Sequence, residues 1–209
     1  MNVGVVVDNN YPVDREVRTK KIVGTLADNG KTVHIFARND LSDEARGQIH
    51  DSYLPRTEQL EDAKVSRFSW FLSTPIGSLV TAPIPFNPFW ILWLFLSFRR
   101  NDIDTIIATN IRSGPTAIIA AKLLGVPIVV DIREYHSEMV RFLPHNSPVD
   151  YLIKSPRLIR VLERFVTRTA DQVWFVTEER IEQVHNSVPR SKLKIVSNTP
   201  VVKDDLEAG

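Results

Sequence analysis

Short runs of β-branched residues, each ending in a polar cluster, recur along this chain with helix-length segments between them. That alternation leaves few folds open, because parallel strands need crossover connections and the crossovers put helices on the sheet faces. The first run is Asn2 to Asp8, with Val3, Val5, Val6 and Val7, the composition of a buried parallel strand feeding a loop. Asp14 is placed to cap the next segment, where Val17, Lys21, Val23, Leu26 and Ala27 keep near-helical spacing until Asn29 and Gly30 stop it. Thr32 to Ala37 is a second strand, so strand, helix and strand form a βαβ unit with parallel strands. Residues 39 to 62 are polar and read as loops and a short helix, and Lys64 to Phe68 as a third strand.

Pro75, Pro83, Pro85 and Pro88 exclude an uninterrupted helix or central strand between 74 and 88, which makes that stretch a loop. After it comes FWILWLFLSFRR, an apolar, aromatic, helix-length run. The alternation then resumes with Asp104 to Ala108 as strand, Pro115 to Leu124 as helix closed by Gly125, and Pro127 to Asp131 as strand, the last two strands being interior. A helix over 157–169 follows, then strand 172–177, helix 178–185 and strand 193–197. About six parallel strands with helices on both faces predict a single doubly wound, Rossmann-like α/β domain over residues 1–200, with 201–209 as a tail or the start of a linker.

In such a sheet ligands sit beyond the carboxyl ends of the strands, which singles out the residues just after each one. The first such loop has no G-x-G-x-x-G, and neither G-x-x-x-x-G-K-S/T nor G-x-S-x-G occurs. Dinucleotide, P-loop and common hydrolase chemistry lose their signatures. There is no Cys, and His34, His50, His136, His145 and His185 form no pair at close helical spacing, so no metal site is expected. With 26 Lys plus Arg against 25 Asp plus Glu, the net charge of +1 argues against a nucleic-acid binder. No positively charged leader precedes the first apolar run and no apolar stretch approaches the roughly 20 residues that span a bilayer. The expected location is cytoplasmic, with a peripheral membrane contact.

YPVDREVRTKKIVGTLADNGKTVHIFA resembles the N-terminal strand and first helix of retaining glycosyltransferases of the family-4 type, which have the GT-B fold. DIDTIIATNIRSGPTAIIAAKLLGVPIVVDIREYHSE is similar to that family's fourth strand, small-residue helix and fifth strand with its acidic loop. RVLERFVTRTADQVWFVTEERIEQV followed by KIVSNTP resembles the end of its N-terminal domain. The likeness runs in order over nearly the whole chain. It implies the acceptor-binding half of a sugar-nucleotide-dependent enzyme, with no cofactor bound by this domain. The nucleotide-sugar donor belongs to a C-terminal domain or partner subunit, without which this half is expected to be inactive. The acceptor is expected to be a carbohydrate or a lipid-linked molecule.

Within that resemblance, Asp131, Arg133 and Glu134 stand where one branch of the family carries Asp, a His and an acid; here the His position holds Arg133. Arg is too basic to take a proton, yet it can bind an acceptor phosphate or stabilise a leaving pyrophosphate. These three are the candidate catalytic residues, with His136 nearby as an alternative and helix capping as the plain role for Asp131 and Glu134. Asp14, Arg15 and Arg18 match the family's Asp, Arg and Arg and are candidate substrate-binding residues, the alternatives being a cap and surface ion pairs. Asn110, Ser113 and Gly114 sit where a phosphate can meet a helix N-terminus, or simply form a turn.

Two segments bear on membranes. The aromatic run, with Phe89, Trp90 and Trp93, suits either a buried helix or one lying among lipid headgroups. Arg157, Arg160, Arg164 and Arg168 form a basic stripe opposite an apolar one, fit for anionic lipid or for plain solvation. The competing function class is a non-catalytic scaffold that recruits an enzyme partner to the membrane surface.

Overall fold

A computed structural model of the chain describes residues 1–8, 11, 17–38, 55–69, 80, 84–133, 155–184 and 188–197, and of 183–184 the backbone alone. The strands among them are β1 (Asn2–Val7), β2 (Thr32–Arg38), β3 (Thr57–Gln59), β4 (Lys64–Phe68), β5 (Thr105–Ala108), β6 (Ile128–Ile132), β7 (Gln172–Phe175) and β8 (Leu193–Ile195). The helices are α1 (Val17–Asp28), α2 (Pro88–Arg100), α3 (Gly114–Leu124), α4 (Pro156–Thr169) and α5 (Glu178–Val184), with a 3₁₀ turn at Arg190–Lys192.

The strands form one sheet in the order β3-β4-β2-β1-β5-β6-β7-β8. Every pairing is parallel except β3 with β4. The chain winds outward from β1 through β2 to β4, returns to β5 beside β1, and winds the other way to β8. This is a doubly wound α/β sheet with its switch point between β1 and β5. Strand β3 corrects the expectation of loops and a short helix over residues 39 to 62. It is three polar residues at the sheet edge, too short and too hydrophilic to register as a period-2 pattern.

Helices cover both faces. Phe36, Phe68, Ile106, Ile128 and Val130 on one face pack with Trp90, Trp93, Leu94 and Phe98 of α2, Ala117, Ile118 and Ala121 of α3, and Val166 of α4. On the other, Val5, Val7, Val33 and Ile35 pack with Val23 of α1. Asn87 starts α2 by accepting hydrogen bonds from the Phe89 and Trp90 amides at 3.0 and 3.2 Å, with Pro88 in the first turn. Gly125 ends α3 at φ +70°, a conformation in which a side chain would be strained. Gly114 serves packing instead: a Cβ there would lie 3.1 Å from Val166 Cγ2, so its absence lets α4 close onto α3.

Candidate functional site at the switch point

Parallel strands bring their carboxyl ends to one edge, and three elements deliver ionisable side chains there. Strand β6 is buried on both faces, so Asp131 lies inside the sheet with no exposure. A carboxylate there needs partners, since an isolated buried charge costs many kcal/mol. The first turn of α1 supplies Arg18, whose Nε donates to Asp131 Oδ2 at 2.8 Å and whose Nη2 donates to Oδ1 at 2.7 Å. Arg133, just after β6, donates from Nε to the same Oδ2 at 3.2 Å and from Nη2 to Thr19 Oγ1 at 2.6 Å. Two guanidiniums thus flank one carboxylate. The bidentate fork fixes Arg18, and Asp131 together with Thr19 fixes the plane of Arg133.

This geometry changes the expected roles. Both oxygens of Asp131 are occupied, so in this structure Asp131 anchors two arginines. Arg18 is not a surface ion-pair partner: only 6% of it is exposed. Arg133, with 19% of its side chain open, is the member of the cluster that solvent reaches most. Beside Arg18, between α1 and strands β7 and β8, lies a cleft of ≈ 510 Å³ whose walls include Lys21, Thr25, Trp174 and Ser197.

At the switch point itself, Asn110 joins the two diverging halves. Its Nδ2 donates to Asp8 Oδ1 at 2.6 Å, while its Oδ1 accepts from the Arg112 and Ser113 amides at 2.8 and 2.9 Å. Ser113 and Gly114 are buried, and the Gly114 amide bonds to the Asn110 carbonyl at 3.0 Å. These two residues therefore close the start of α3 and do not offer it to a phosphate. Thr19 and Asp8 complete the site without having been singled out in the sequence. Their signal was position alone, one beside Arg18 and one at the end of the first strand. Asp14, Arg15, Glu134 and His136 lie outside the described residues.

The membrane candidates divide. Phe89 is exposed, but Trp90 and Trp93 are not available to lipid: they are 3% and 9% exposed and pack into the core, Trp93 against Phe36 and Phe68. The outward stripe of α2 is instead Phe89, Leu92 and Leu96, preceded by Phe86, whose ring meets Phe165 of α4 at 5.2 Å. Arg157, Arg160, Arg164 and Arg168 are all exposed along α4, whose opposite side buries Ile159, Leu162 and Val166. No described helix is long and apolar enough to cross a membrane. No group of three or more potential metal ligands occurs among the described residues.

The family model for the glycosyl transferase 4-like domain matches residues 16–199. No curated protein matches the chain by sequence. Among solved structures, sucrose-phosphate synthase from Thermosynechococcus elongatus superposes with a TM-score of 0.61 at 11% identity, over 94% of this chain and 47% of that one. UDP-GlcNAc 2-epimerase from Methanocaldococcus jannaschii gives 0.54 at 12% identity over 94% and 45%. HepE from Anabaena, solved in complex with UDP and glucose, gives 0.53 at 16% identity over 96% and 45%. At these identities the likeness is one of fold. This chain spans about half the length of each of these three proteins.

Proposed function

Because this chain belongs to the glycosyl transferase 4-like domain family, we propose that it is the acceptor-binding, N-terminal half of a retaining glycosyltransferase of GT-B type. It works with a C-terminal domain or partner subunit that brings the nucleotide-sugar donor. The observation that carries this reading is the Arg18–Asp131–Arg133 cluster at the carboxyl edge of the sheet, where an open α/β sheet receives its ligand. Both guanidiniums stand at that edge, Arg133 the more open of the two. Held in place by Asp131 and Thr19, Arg133 is set to meet an anion, either a phosphate on the acceptor or the phosphate that departs from the donor. A cation positioned in advance stabilises such charge without reorganising during the reaction. Asn110 and Asp8 are placed to hydrogen-bond acceptor hydroxyls, and the chemistry asks the protein chiefly to align a hydroxyl with the anomeric carbon.

The acceptor is a carbohydrate or lipid-linked molecule in this reading, and the outer surface of α2 and α4 rests on an anionic membrane. The test is sugar transfer by the chain together with its donor-binding half, assayed with UDP-glucose, UDP-N-acetylglucosamine and GDP-mannose on lipid-linked and free saccharides. Arg133→Ala is expected to lower kcat about 100-fold or more, in line with the loss of one charge-stabilising donor, and Arg133→Lys to restore part of it. A pair that binds donor but transfers with no acceptor, or transfers equally well as Arg133→Ala, overturns the assignment. A non-catalytic scaffold is the competing reading, favoured by Arg133 standing where the resembling family carries His.

A further inference from the structure

A second cavity, of ≈ 250 Å³, lies on the opposite flank of the domain, between the β3–β4 edge and the C-terminal half of α2. Strand alternation turns Thr57, Lys64 and Ser66 toward it, and helical spacing brings Trp93, Ser97 and Arg100 of α2 over them. Arg56 and Ser69 complete the polar wall. The same alternation turns Glu58, the nearest carboxylate on β3, away from it, and Glu58 pairs with Arg67, a fourth basic residue of the cavity wall whose charge is thereby taken up. No carboxylate therefore lines the cavity among the described residues, while Arg56, Lys64 and Arg100 all do, none of them in an ion pair there.

The C-terminus of α2 brings only about half a negative charge to this corner, well short of three cations. Lys64 already acts on its neighbourhood: His34, its partner across the strand pair, is held below its ordinary pKa by burial and by the Lys64 charge. The back wall is rigid, since Trp93 is wedged between Phe36 and Phe68. Guanidiniums, an ammonium and serine and threonine hydroxyls around a small space are the donor set of a phosphate site. The volume is close to the roughly 300 Å³ of the smallest ordinary ligand pockets and suits a phosphate group with a short substituent.

We propose that this cavity binds the phosphate group of a small phosphate ester, remote from the switch-point site. Two sources share that chemistry: a soluble phosphate ester, or the headgroup of a phospholipid whose chains lie along the exposed Leu92 and Leu96 of α2, the helix that gives Trp93, Ser97 and Arg100 to the wall. The proposal does not depend on the transferase reading, and its test uses no sugar transfer. The full chain is titrated calorimetrically with inorganic phosphate and glycerol 3-phosphate, and is floated with phosphatidylcholine vesicles with and without phosphatidic acid. Two variants are compared with the native chain, Lys64→Gln/Arg100→Gln, which removes charge, and Ser97→Trp, which fills the cavity and keeps every charge; Arg99→Gln, an exposed neighbour, is the control.

Saturable binding in either arm that falls about tenfold or more in both variants, with Arg99→Gln unchanged and the thermal transitions of all variants intact, is the expected result. Binding in the soluble arm alone identifies a free ester, and binding in the vesicle arm a headgroup. Absence of binding in both arms, or binding that survives Ser97→Trp and so reflects diffuse surface charge, overturns the proposal.

Discussion

Arg18 and Asp131 form a buried pair whose members are 113 positions apart in the chain, so each depends on the fold to meet the other. Removing one partner leaves a charge in the interior, which typically costs about 3–5 kcal/mol. Arg18→Met leaves Asp131 with Arg133 alone, so it is expected to lower unfolding stability by part of that amount, about 2–3 kcal/mol, in urea titrations. Arg18→Met/Asp131→Leu should recover most of the loss, because no buried charge then remains unpaired and the more open Arg133 can turn to water. A double variant no better than the single one would show that the pair matters through shape and not through charge. His34 gives a second prediction. Its pKa is lowered by burial and by Lys64, so the folded state binds fewer protons at that residue than the unfolded chain does. Stability is accordingly full above the ordinary value of about 6.5 and is lost as pH falls through the lower folded value. Melting temperatures followed downward from neutral pH should drop less steeply in His34→Gln. Of the site residues, the sequence singled out Arg18, Asp131 and Arg133 by their place after strands and by family likeness. Their mutual contact was not legible, because residue type and spacing carry no information on which distant arginine reaches a buried carboxylate.

At the level of elements, periodicity recovered what burial controls. Strands β1, β2, β5 and β6 show as β-branched runs because both their faces are covered, and α3 shows through its small residues and terminal glycine. Helix α2 was recognised as a helix but its buried side was not, since apolar residues occupy nearly its whole circumference and leave no polar face to orient it. Only the fold decides that Trp90 and Trp93 turn inward while Phe89, Leu92 and Leu96 turn out. Strand β3 escaped for the opposite reason, having no apolar side at all. The contact between α3 and α4 is close enough to test with one methyl group. In Gly114→Ala the new Cβ would stand 3.1 Å from Val166, so α4 must give by a few tenths of an ångström. The expected cost is about 1–3 kcal/mol in denaturant unfolding, and Gly114→Ala/Val166→Ala should lose less than the two single costs together.

For the molecule as a whole, α2, α3 and α4 cover one face of the sheet, and Phe86, just before α2, meets Phe165 of α4. Phe89→Ser is expected to weaken flotation with anionic vesicles while leaving stability within about 0.5 kcal/mol, as for other exposed sites. Trp90→Ala should instead destabilise by about 3–5 kcal/mol, the cost of emptying a large aromatic site in the core. Replacing Arg157, Arg160, Arg164 and Arg168 with Gln should remove much of the salt-sensitive part of vesicle binding. Equal vesicle binding by the native and four-fold variants would assign the basic row to solvation alone.

The sheet order also sets the course of synthesis. Strand β1 leaves the ribosome first yet ends in the middle of the sheet, paired with β2 on one side and β5 on the other. Its second partner follows the first by roughly 70 residues, on the order of ten seconds of elongation. Throughout that interval one row of amides and carbonyls beside Val3, Val5 and Val6 is open, in the newborn chain, to any strand that finds it. A strand paired on both sides in the finished domain thus stands half open while it is being made, and yield in the cell is expected to respond to translation speed between codons 38 and 105 more than to any later stretch.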